Sequence, residues 1–192
     1  MSEFRKKFGL FSVISSGILS IFLFILAIKG LKLLDGYKVS ESSARGIIVA
    51  QLIFALILFA VCIIGVVKVL GLFSDSEIAG RFANGALAII AVMDLIQIFA
   101  LLGNLKKSGL EVNVPTVIVI SIILYIVAAI SFIVGAIAGE PTCGICSVIG
   151  CLLSFITIAI NIDVSNITFR IQDFFQLLSY STALFYAASM RE

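Results

Sequence analysis

The chain has 192 residues, 61% of them hydrophobic and only 12% charged, and its mean hydropathy is +1.25. A water-soluble surface needs more charge than this, so a soluble globular domain is excluded and the solvent must be lipid. A dispersed net charge of +2 argues against a nucleic-acid partner, and the absence of histidine removes the usual general base and the commonest metal ligand.

Arg5, Lys6 and Lys7 precede the first apolar run, Phe8 to Ile28. That run is longer than the apolar core of a cleavable signal. It ends in Lys29-Gly30 without a small-x-small cleavage site, which predicts an uncleaved first membrane helix. Three more runs follow: Gly46 to Val67, Ala83 to Leu105 and Val114 to Ala138. Each matches the roughly 20 residues a helix needs to cross a bilayer. In lipid the backbone must bond within its own segment, so these runs are helical whatever the β-propensity of Ile and Val.

The last third is more ambiguous. A fifth span is read over Ile145 to Ile162, but Ile156, Ile158, Ile160, Ile162 and Val164 alternate with more polar residues. Period two is a strand pattern, so an extended exit with a hairpin at Ser165-Asn166 is the alternative. A sixth segment, Phe174 to Met190, sets Gln176, Ser179, Thr182, Tyr186 and Ser189 opposite Phe174, Leu178 and Phe185. That amphipathic helix is read as spanning with its polar stripe turned inward, the alternative being a helix lying flat at the interface. The expected fold is an all-α transmembrane bundle of six spans, forming a single integral membrane domain over residues 1–192. Five spans plus an interfacial C-terminal helix is the other arrangement.

Basic residues near span ends set orientation. Arg5, Lys6 and Lys7 favour a cytoplasmic N-terminus, whereas Lys29, Lys32, Lys38, Arg45, Lys106 and Lys107 pull the other way. Weighting the first helix most places both termini in the cytoplasm. No internal repeat of the kind that builds many transporters is detectable.

Asp94 is the sharpest chemical feature. It lies near the middle of the third run, where a carboxylate costs about 2.5–3.5 kcal/mol on insertion scales. Asn84, Ala88, Ala91, Gln97 and Asn104 share its helical face within an arc of about 160°. Matching depths across antiparallel neighbours brings Tyr125 and Cys62 to its level, with Ser20 close by. Asp94, Gln97, Tyr125 and Asn84 are therefore the candidates for a proton or cation site. The structural alternative is a hydrogen-bonded strut between helices.

Cys143 and Cys146 form a Cys-x-x-Cys pair where the turn Gly139-Glu140-Pro141-Thr142 enters the fifth span. A helix N-terminus is redox geometry for thiols. Membrane disulfide-forming oxidoreductases also need a second cysteine pair in a loop, and here only Cys62 and Cys151 remain, both within spans. Packing, or juxtamembrane palmitoylation, is the plainer role. No second Cys-x-x-Cys accompanies the pair, so no metal or cofactor is expected. Asn166-Ile167-Thr168 is formally a glycosylation sequon, too close to the fifth span to be expected in use.

The sequence thus predicts a non-enzymatic multi-pass membrane protein, embedded in lipid and acting with a protein partner or as a homo-oligomer. A small transporter with a proton or cation site at Asp94 is second, and a thiol–disulfide oxidoreductase third.

Overall fold

The computed structural model describes residues 2–36, 42–71, 76–107, 116–165 and 171–189. They form six α-helices: α1 Ser2–Gly36, α2 Ser42–Leu70, α3 Ser76–Lys107, α4 Thr116–Ile137, α5 Thr142–Ser165 and α6 Ile171–Ala188. There is no strand among the described residues. The extended exit is overturned for residues 156–165, which stay helical to the end of α5. Alternation lost because a lipid-facing backbone must close its own hydrogen bonds, and the polar members of the pattern can be absorbed locally. Thr157 shows how: its hydroxyl donates to the Leu153 carbonyl one turn earlier, at 2.8 Å. The sequon at Asn166 lies outside the described residues.

Five helices, α1 to α5, are long and apolar enough to cross a membrane. Their outward faces carry large exposed side chains, most densely on α2 (Ile53, Leu56, Phe59, Ile63, Val67) and α4 (Ile123, Val127, Ile130, Val134). Continuous apolar faces of this kind belong in lipid. This is a multi-pass membrane protein.

α6, at 18 residues and with a polar stripe, falls short of that standard of length and apolarity. It nevertheless does not lie across the end of the bundle. Arg5 donates to the Ser189 carbonyl, Phe8 stacks on Phe185, Ser12 donates to the Ser179 carbonyl, and Phe22 stacks on Phe175. Numbers rising on α1 pair with numbers falling on α6, so the two helices are antiparallel along most of α6.

α3 is the hub and touches all five other helices. Alanines make that possible: Ala79, Ala83, Ala86 and Ala91 are fully or almost fully buried. In lipid no hydrophobic force separates helix from solvent, so close approach and dispersion hold the bundle together. Gly9 brings α1 onto α3, where an added Cβ would lie 2.8 Å from the Ala79 Cβ. Gly150 opens α5 to the ring of Phe132 on α4.

The bundle has two ends. One carries the start of α1, the turn between α4 and α5, and the end of α6. There Arg5 pairs with Glu140 at 3.5 Å, and Arg81 with Glu77 at 2.5 Å. The other carries the end of α1, the start of α2 and the start of α6, with an exposed Arg45–Asp35 pair.

Candidate functional site

Two polar clusters lie inside the bundle, one toward each end. The first centres on Asp94, whose carboxylate is half-buried on α3. Its Oδ2 accepts from Gln176 Nε2 of α6 at 2.7 Å, and Tyr125 of α4 is its second hydrogen-bond partner. The same Gln176 nitrogen reaches the Tyr180 hydroxyl at 3.4 Å. Three helices are thereby tied at one level. The Tyr180 ring is itself fully buried, stacked on Phe132 with centroids 6.1 Å apart and meeting Phe155 edge-on at 5.8 Å.

Tyr125 stands where the depth matching put it, whereas Gln97 and Asn84 do not. Gln97 is exposed and stands outside the cluster. Asn84 shares the face of Asp94 but lies ten residues earlier, about 15 Å away along the axis, and serves the other cluster. Cys62 faces α1, where a Cβ at Gly17 would sit 3.3 Å from its own. Ser20 bonds locally, donating to the Gly17 carbonyl. Gln176 was legible only as one member of the α6 polar stripe. Asp94 also stands off-centre. It is about six residues past the midpoint of the apolar stretch Ser76–Ala100, or about 9 Å toward the end where α6 begins.

The second cluster joins α3 to the start of α5. Asn84 Nδ2 lies 3.2 Å from both the Cys143 carbonyl and the Cys143 Sγ, and Asn84 Oδ1 accepts from the Ser147 hydroxyl at 2.9 Å. The Tyr186 hydroxyl, 4.0 Å from Cys143 Sγ, donates to Glu140 at 3.4 Å. Glycines make room: a Cβ at Gly80 would fall 2.1 Å from the Tyr186 ring, and one at Gly135 would fall 2.7 Å from Asn84 Nδ2.

All four cysteines are free and buried, with Cys143 fully enclosed and Cys146 8% exposed. A thiol attacks only where a substrate can reach it. Maleimide is therefore expected to label Cys143 far more slowly in the folded protein than after unfolding in dodecyl sulfate, and equally with and without prior reduction. Rapid labelling of the folded protein only after reduction would reveal a cycling disulfide. Among the described residues no three Cys, Asp or Glu side chains converge as a metal donor set.

Between the clusters lies a closed layer of fully buried side chains: Leu87 of α3, Phe132 of α4, and Ala183 and the Tyr180 ring of α6. No family model matches the chain, and neither a curated protein nor a solved structure matches it.

Proposed function

We propose that this chain is a non-enzymatic, six-span membrane protein serving as a subunit or scaffold of a membrane complex, with its N-terminus in the cytoplasm. One observation carries this reading: the interior polar groups are engaged with one another as ties between helices. Asp94 joins α3 to α4 and α6, and Asn84 joins α3 to α5. Such interhelical bonds contribute about 0.6–2 kcal/mol each and fix the register of a bundle. The enclosed thiols support the absence of an enzymatic role. The broad outward faces of α2 and α4 suit lipid and the apolar helices of a partner alike.

The test is gentle detergent extraction at native expression, followed by particle mass and identification of what co-purifies. A stoichiometric partner or a defined homo-oligomer is expected. A lone monomer that retains its cellular role would overturn the reading.

A second reading rests on Asp94. Among the described residues no basic side chain forms an ion pair with it; the described pairs involve Arg5, Arg45 and Arg81. Its charge is compensated by hydrogen bonds alone. A carboxyl so placed can hold a proton, and the chain would then be a small transporter or channel-like protein.

A further inference from the structure

The geometry points to Asp94 as a site that takes up a proton, not a metal cation, and exchanges it with one side of the membrane only, the side on which α6 begins. This rests on the second reading above and adds to it the ligand and the route.

The ligand follows from the carboxylate's neighbours. Gln176 contributes an amide N–H and Tyr125 a phenolic O–H, both donors to the carboxylate. A metal ion would need oxygens in place of these donors. A proton needs only one bond to reverse. When it arrives on a carboxylate oxygen, the Tyr125 hydroxyl turns from donating to accepting, and the Gln176 bond stays in place. The other titratable groups that act on the cluster are Asp173 and Tyr180 of α6.

The route follows from the position of the cluster. Asp94 is displaced toward the end of the bundle where α6 starts, and Gln176 lies in the second turn of that helix. Asp173, three residues before Gln176, is on the same helical face and one turn nearer the surface. It is only partly buried, so a hydrated carboxylate stands between water and Asp94. In the opposite direction the layer of Leu87, Phe132, Ala183 and the Tyr180 ring closes the interior. The polar cluster beyond it, around Asn84, is about 15 Å from Asp94. A proton therefore has a polar approach from one end and an apolar barrier toward the other.

Dicyclohexylcarbodiimide, which couples to protonated carboxyls in apolar surroundings, reads this directly. Full-length protein is labelled in right-side-out and in inverted membrane vesicles, with only the outer pH varied and the interior buffered. The Asp94 peptide is quantified by mass, and Asp94→Asn sets the background. The expected result is that labelling in one vesicle orientation falls by about tenfold per pH unit once the acid titrates, while in the other it stays level. Labelling that follows the outer pH in both orientations would overturn the one-sided route and leave the proton site standing. Labelling at background level, or at a level that follows pH in neither orientation, would overturn the proton site itself.

Discussion

Replacing Tyr180 with alanine is expected to destabilise the bundle by about 2–4 kcal/mol, the largest effect of any single side-chain truncation here. In water much of such a loss would come from transfer of the ring. In lipid that contribution vanishes, because the tails are as apolar as the core. What remains is the cavity, and at this position the surroundings cannot collapse into it. The ring is fully buried between Phe132 and Phe155, and its hydroxyl lies against the amide that holds Asp94. Tyr180→Phe keeps the ring and leaves Gln176 its bond to Asp94, so it is expected to cost about 1 kcal/mol or less. The thermal midpoint of the helical circular-dichroism signal, taken in one detergent for all three proteins, separates these outcomes. Equal losses for the two variants would place the stabilisation in the hydroxyl, not in the ring.

Gly9→Val is expected to lower stability by about 1–3 kcal/mol through overpacking. An added Cβ at Gly9 would lie 2.8 Å from the Ala79 Cβ and 3.0 Å from the Ala79 carbonyl carbon. Backbone cannot rotate aside, so α1 and α3 must part, and their separation loosens the helix that touches all the others. Gly46→Ala is the matched control. Nothing lies within 4 Å of a Cβ there, and removing a helical glycine should be neutral or favourable by up to about 1 kcal/mol. The same thermal midpoint, together with the fraction of protein eluting as a single gel-filtration peak, checks both. A Gly9→Val protein as stable as its parent would mean that the α1–α3 contact is not close.

The helices were legible in the sequence because bilayer thickness and backbone satisfaction leave few alternatives for long apolar runs. Their ends were not. α1 runs from Ser2 to Gly36 and α3 from Ser76 to Lys107, beyond the apolar windows at Phe8–Ile28 and Ala83–Leu105. A helix continues through polar residues wherever its own hydrogen bonds are met, so hydropathy locates the membrane and not the helix. That displacement moved Asp94 from the centre of its span to one side. Asn84 was readable as inward-facing, but a shared helical face says nothing of depth, and three turns separate it from Asp94. Gln176 could not be assigned to Asp94 from sequence, because the bond joins residues 82 apart through a packing that only the folded bundle defines.

The antiparallel pairing of α1 with α6 has a consequence for how the protein is made. The first helix to enter the membrane acquires its neighbour last. With synthesis at about 5–20 residues per second, roughly 10–30 s separate the completion of α1 from the emergence of α6. Throughout that interval the Ser12 hydroxyl lacks the Ser179 carbonyl to which it finally donates, and Arg5 lacks Ser189. α6, the least apolar of the six helices by the membrane-crossing standard, then enters a bilayer in which a prepared polar and aromatic groove already awaits it. Its insertion is thus a docking event guided by protein, and every release of the chain before residue 171 would leave the groove of α1 open.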